Sequence, residues 1–333
     1  MSDNTKENDQ KNIDQNTNEI INCYSDEEKF NDEIDVEINI LNDQDDENKF
    51  LKLICDNSQK IFILNLMFLI FMFAPLLYFT IAEAGFNNKF ILNQFLKYIF
   101  LVVIQYIMAL VVVRYNFKVN YTRKIVHMSF FLWPQILDNL IIIYQKDKYT
   151  ELWNVWIILF LLFINSKEIR SKIKFIETMF KAVDRPEDQP YTLIWFATQV
   201  ISTLVVLIPF SVFFSRNNKK NLVFIPILIN ALGDGLAEPV GIKFGKNKYK
   251  TKACCSKRVY ERSYEGSFCV FIVSFIIILS FIPYMYINQF LFSLMTIPIS
   301  STIAEAFSPH TWDSPIITLV VCSLLSVSIY MKN

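Results

Sequence analysis

Apolar residues in this chain are gathered into long runs separated by short polar segments. The runs fall near 61–83, 93–113, 125–144, 152–165, 191–214, 221–242, 266–284, 288–304 and 315–331. Runs of about twenty apolar residues match the hydrocarbon thickness of a bilayer. The pattern therefore predicts an all-α, polytopic integral membrane helical bundle with about nine transmembrane helices, occupying residues 59–333. The fourth run is short and is expected to tilt or to lie in the interface. The sixth contains Gly233, Asp234 and Glu238 and is expected to be a broken helix, tolerated only where protein or a wet cavity covers it. Residues 1–58 contrast with the rest, being rich in Asn, Asp, Glu, Lys and Gln and lacking Gly and Pro. They predict a disordered acidic tail, with a short amphipathic helix around 28–42 as the one ordered alternative. They resemble neither a cleaved signal peptide nor a transit peptide.

Composition sharpens this picture. The 333 residues are 53% hydrophobic with 31 Phe, too apolar for an ordinary soluble protein. The net charge of zero hides an asymmetry: residues 1–60 carry 17 acids against 6 Lys, and the remainder 26 Lys/Arg against 15 acids. Cations also sort by loop. Segments 114–124, 166–190 and 243–263 hold 18, whereas 84–92, 145–151, 215–221 and 285–287 hold 6. The positive-inside bias predicts a cytosolic N-terminus and a cytosolic face bearing the cation-rich loops. With no other targeting signal, the endoplasmic reticulum is the default membrane. Six cysteines without a CxxC pair and only two histidines exclude a disulfide framework, a zinc site and a His-rich metal cage. No nucleic-acid partner is expected.

The candidate chemistry is concentrated at 230–267, which holds five of the six glycines: Gly233, Gly235, Gly241, Gly245 and Gly266. Glycine permits unusual backbone angles and close backbone approach to a ligand. Asp234 and Glu238 lie four apart inside an apolar run, so one helix face would present both, and buried charges of this kind usually have partners. Packing through the Gly241–Gly245 spacing is the plain alternative for the glycines and explains neither acid. GIKFGKN at 241–247, with Lys246, lacks the spacing and the Ser/Thr of a P-loop. RKIVH at 123–127 puts Arg123 and His127 on one face with Lys124 beside them, either as a phosphate-binding cluster or as a juxtamembrane anchor. RSYEGS at 262–267 offers Arg262 for phosphate, Glu265 for metal, and Gly266 and Ser267 at a helix N-terminus suited to an oxyanion; an interfacial helix cap is its alternative. The run between, 246–258, reads as a positive-inside loop. AEAFSPHTWDS at 304–314 adds Glu305, His310 and Asp313, with Glu305 and Asp313 as carboxylates on or beside a metal, or the whole as a polar turn broken by Pro309.

In this order, RKIVH, GDGLAEPVGIKFG, RSYEGS, and AEA followed by an Asp before the last run resemble the CTP-dependent polyprenol kinase family. Its members include dolichol kinase, phytol kinase and the yeast-type CTP-dependent diacylglycerol kinase. The likeness covers roughly residues 90–331. The chain departs from the family in carrying Arg262 in place of Lys and Ser314 in place of Asn. The resemblance implies an integral membrane kinase that moves the γ-phosphoryl of CTP, with Mg²⁺, to a lipid alcohol. It further implies Asp234 and Glu265 on the metal with Glu238, Glu305 and Asp313 as further candidates; Arg123, Lys124 and Arg262 on developing charge; and the glycines along the nucleotide. Either His127 or a carboxylate would take the alcohol's proton. A phosphatidate cytidylyltransferase and, more distantly, a transporter are the alternatives.

Overall fold

The computed structural model describes residues 53, 58–84, 88–144, 148–252, 259–309 and 312–331. Apart from residues 53 and 58, the acidic tail with its expected helix lies outside the described residues, as does His310.

Every one of the nine apolar runs is helical. The helices are α1 (Ser58–Phe79), α2 (Asn88–Tyr115), α3 (Val119–Ile136), α4 (Lys148–Ile164), α5 (Lys174–Phe180), α6 (Thr192–Arg216), α7 (Phe224–Leu228), α8 (Gly235–Phe244), α9 (Tyr264–Ser280), α10 (Ile287–Phe307) and α11 (Asp313–Ile329). Among the described residues, five stretches are long and apolar enough to cross a membrane: Ser58–Ala82, Asn88–Tyr115, Thr192–Arg216, Lys220–Phe244 and Ile287–Phe307. The expected nine is not reached by that measure. Helices α4, α9 and α11 are apolar but shorter, and α9 and α11 begin within the polar segments RSYEGS and HTWDS. Large apolar side chains face outward along the spanning helices, Phe71 and Met295 each 73% exposed. Such a surface suits lipid tails better than water.

The inner bundle is a chain of neighbours: α8 packs on α9, α9 on α10, α10 on α11, and α11 on α6; α3 packs on α2 and α8. Phe214, Ile225, Ile278, Ile297, Val321 and Leu325 fill its core. Hydrogen bonds between short side chains join helices here, Ser274 to Ser301 at 2.9 Å and Asn230 to Thr318 at 2.8 Å. Such bonds add specificity where lipid supplies no hydrophobic drive.

The sixth run is distorted but not broken, staying helical from Lys220 to Phe244. Between α7 and α8 the backbone widens into a π-helical turn, Ile229–Asp234, that ends on Asp234. Turns of this kind often mark functional positions.

One element departs from all-α. Lys248–Lys252 (β1) and Val259–Ser263 (β2) form an antiparallel hairpin with Tyr249 opposite Arg262 and Lys250 opposite Glu261. The expected positive-inside loop is thus partly a strand pair. The signal was there: in KYKTK, lysines alternate with Tyr249 and Thr251, which is period two. Tyr249 bonds Ser267, and buried Thr251 donates to the Ala306 carbonyl at 2.9 Å, so this face rests on the ends of α9 and α10. Lys248 and Glu261 pair on the exposed face.

Candidate functional site

Two helix faces build the centre of the site. Asn120, Arg123, Lys124 and His127 recur at helical spacing on α3, and Asp234 and Glu238 recur at i,i+4 on the π turn and α8. The faces run antiparallel. At one level Asn120 donates to Glu238 at 2.8 Å and Arg123 donates to it at 2.5 Å. At the next, Lys124 donates to Asp234 at 2.7 Å, and His127 Nε2 lies 3.3 Å from the other Asp234 oxygen. The same His127 nitrogen lies 3.2 Å from the Asn230 carbonyl. Lys124 and Asp234 are 4% and 2% exposed, so neither charge would survive there without the other.

A third wall comes from the hairpin and the ends of α10 and α11. Arg262 donates to Glu305 and reaches Ser308. Burial opposes the Arg262 charge, but Glu305 and then Asp313 outweigh it and hold the guanidinium above its ordinary value. Asp313, at the start of α11, faces the same space. The space is a cavity of about 500 Å³ lined by Arg123, Lys124, Asp234, Glu238, Arg262, Glu305 and Asp313, with Gly241, Gly245, Gly266 and Ser267 among its small residues. Its volume lies in the ordinary range for small-molecule sites. The three cation-rich loops thus each send an arginine or lysine to one place.

Several expected site residues stand elsewhere. Glu265 does not line the cavity; one of its oxygens accepts from the backbone N–H groups of Lys246 and Asn247 at 3.0 and 3.3 Å. Hydrogen bonds from its own backbone and from Lys246 hold its carboxyl below the usual range. Through that oxygen it clasps the segment after α8 to the start of α9. Lys246 joins that clasp through its backbone. Ser263 caps α9 by accepting from Gly266 N–H at 3.1 Å, so this part of RSYEGS is a helix cap. Gly233 and Gly235 lie outside the cavity lining. None of the five glycines has a positive φ; what they permit is close packing. A Cβ on Gly241 would meet Ser263 Oγ at 2.7 Å, and one on Gly266 would meet the Ala237 carbonyl oxygen at 2.9 Å.

Among the described residues, no three His, Cys, Asp or Glu side chains gather in a metal-binding group. Glu238 is committed to Arg123, Lys124 and Arg185. Asp234 Oδ2, which has the His127 ring nitrogen 3.3 Å away, Glu305 Oε2 and, outside the cavity lining, Glu265 Oε2 are by contrast buried without a hydrogen bond.

Sequence reasoning missed Arg185. It sits in the loop DRPEDQP, lines the cavity, and reaches Glu238 at 3.4 Å. The available signal was an Arg followed by Pro and, three positions on, by Asp188, which grips it at 2.7 Å.

A second cavity of about 350 Å³ adjoins the first. Its lining is apolar and aromatic, with Phe130, Phe131, Leu161, Phe180 and Trp195, and it lies among α2 to α6. Arg123 and Lys124 line both cavities, and His127 faces the apolar one.

No family model, curated protein or solved structure matches the chain.

Proposed function

We propose that the protein is a membrane lipid kinase that transfers the γ-phosphoryl group of a nucleoside triphosphate, CTP on the resemblance of its motifs, to a lipid alcohol. The observation that carries this is the shared wall at Arg123 and Lys124, with a charged cavity on one side and an apolar cavity on the other. A greasy alcohol would lie in the second with its hydroxyl toward the first. The nine apolar runs would all lie in or across the membrane, with the site and N-terminus cytosolic, in the endoplasmic reticulum by default.

The charged lining supports a metal–triphosphate ligand in particular. Asp234, Glu238 and Glu305 there are each matched by a cation, so a simple anion would leave acids stranded. A magnesium triphosphate carries both signs: its phosphates take the cations and its metal takes carboxylate oxygens. Asp234 Oδ2 and Glu305 Oε2 fit that need, since Mg²⁺ commonly uses one or two carboxylates and completes its shell with phosphates and water. The ion, when bound, would neutralise charge on the phosphates. Arg123, Lys124 and Arg262 do the remaining electrostatic work, holding the phosphoryl group in line and stabilising charge as it spreads. The apolar cavity excludes water from the acceptor oxygen, which suppresses hydrolysis.

The test is purified protein in lipid nanodiscs with a panel of lipid alcohols and CTP or ATP labelled at the α or γ position. A lipid monophosphate labelled from the γ position alone is expected. Lipid labelled from the α position points to a cytidylyltransferase. No labelled lipid with any alcohol, or alcohol uptake without nucleotide consumption, overturns the proposal.

A further inference from the structure

The loop between α5 and α6 carries two charged side chains to which the chemistry above gives no part. Arg185 lines the charged cavity, and Asp188, 4% exposed, lines the apolar one. They are joined in a two-pronged bond: Arg185 Nε donates to Asp188 Oδ2 at 2.7 Å and Nη2 donates to Oδ1 at 3.1 Å. That geometry is strong and fixes orientation. The pair therefore forms part of the partition between the two cavities. Its third nitrogen, Nη1, makes only the 3.4 Å bond to Glu238, a carboxylate already served by Arg123 and Asn120 at shorter range. Of the donors on Glu238, it is the one most easily turned to a ligand. The loop also has its own braces: Thr192 and Gln189 donate to Asp184 at 2.6 and 2.9 Å, and Asp188 N–H donates to the Arg185 carbonyl at 3.1 Å.

We propose that Arg185 is a further phosphate-binding cation and that Asp188 receives the acceptor hydroxyl, the two locked into one unit that sets donor against acceptor. This rests on the kinase proposal and adds a division of labour to it. The hydroxyl of the alcohol donates to Asp188 at the end of the apolar cavity. As its oxygen forms a bond to the γ-phosphorus, the bond from that phosphorus to the bridging oxygen breaks. The electron pair leaves with the nucleoside diphosphate, and the hydroxyl proton passes to the Asp188 carboxylate. Arg185 remains cationic throughout and neutralises the transferring group. His127 is the other proton acceptor on the apolar wall, so the two must be told apart.

Steady-state kinetics with γ-labelled CTP, run on four variants in nanodiscs, make the separation. Asp188→Asn keeps the size and loses the proton acceptor; kcat is expected to fall about a hundredfold or more, with partial recovery in Asp188→Glu. Arg185→Lys keeps the charge and loses the fork; the nucleotide KM is expected to rise about tenfold while the alcohol KM holds. Thermal midpoints near that of the wild type show that the loop is intact. Wild-type rates in Asp188→Asn, or a collapse of kcat in His127→Gln alone, overturn the proposal. So does an Arg185→Lys variant whose nucleotide KM is unchanged. The kinase proposal fails separately: if the wild type phosphorylates no alcohol, equilibrium CTP binding by Arg185→Lys still reports whether Arg185 meets phosphate.

Discussion

Helix α3 takes part in two buried Lys–Asp pairs, one near each end, and the difference between them is instructive. Near its start Lys124 bonds Asp234 at 2.7 Å; in the π turn just past its end Asp138 bonds Lys97 of α2 at 3.0 Å. Both pairs are at least nine-tenths buried. Both therefore bear the desolvation cost of charges in an apolar bundle, and both would be flagged by a search for expensive residues in spanning helices. They differ in what surrounds them. Lys97 and Asp138 line neither cavity, and their neighbours Asn93 and Gln94 are buried. Lys124 lines both cavities, and Asp234 lines the charged one. Buried charge alone marks structure as readily as chemistry. Buried charge at the edge of an open space is what supports a ligand.

The largest effect expected from this contrast is catalytic. Asp234→Ala should reduce transfer of γ-label to lipid by about a hundredfold or more, while the protein still inserts into membranes. Asp138→Asn should leave the transfer rate unchanged and lower the thermal midpoint instead, since breaking a buried pair costs about 3–5 kcal/mol. An active Asp234→Ala enzyme, or an inactive Asp138→Asn one, erases the distinction. Replacing each pair whole sharpens it. Lys97→Met with Asp138→Leu removes both desolvation costs, and such swaps are neutral or stabilising by about 1–4 kcal/mol. Lys124→Met with Asp234→Leu should recover stability in the same way and recover no transfer. Differential melting alongside the label assay reads both.

The same contrast explains what could be seen in the sequence. The helices were legible because apolar runs this long have few other uses. Arg123, Lys124, Asp234, Glu238 and Glu305 were legible because charge within or at the edge of such runs is costly and implies a partner. Which partner was a different matter. Nothing local distinguishes Glu265, turned to the backbone of Lys246, from Glu305, turned to Arg262; each sits in a polar segment at a helix end. Arg185 was hidden because its role depends on Glu238, fifty-three positions away in sequence. The hairpin was hidden by its lysines, which read as charge before they read as alternation. The glycines were conspicuous, but close packing and ligand approach call for the same residue, and the sequence does not separate the two.

That last ambiguity yields the smallest of the expected effects. Gly233 and Gly266 flank the same seam between the π-distorted helix and α9, and only Gly266 of the two lines the cavity. A methyl on Gly233 would stand 3.6 Å from Ile229 and Val270, at ordinary contact distance. Gly233→Ala should then be neutral or stabilising by up to about 1 kcal/mol, since alanine favours helix over glycine. A methyl on Gly266 would meet a backbone carbonyl, which cannot rotate away as a side chain can, so the two helices must part. Overpacking of that kind costs about 1–3 kcal/mol. The shift also moves one wall of the charged cavity, so Gly266→Ala should weaken nucleotide binding together with stability. If both alanines behave alike in melting and in binding, the seam is looser than its geometry implies. The cavity would then owe its shape to the ion pairs alone.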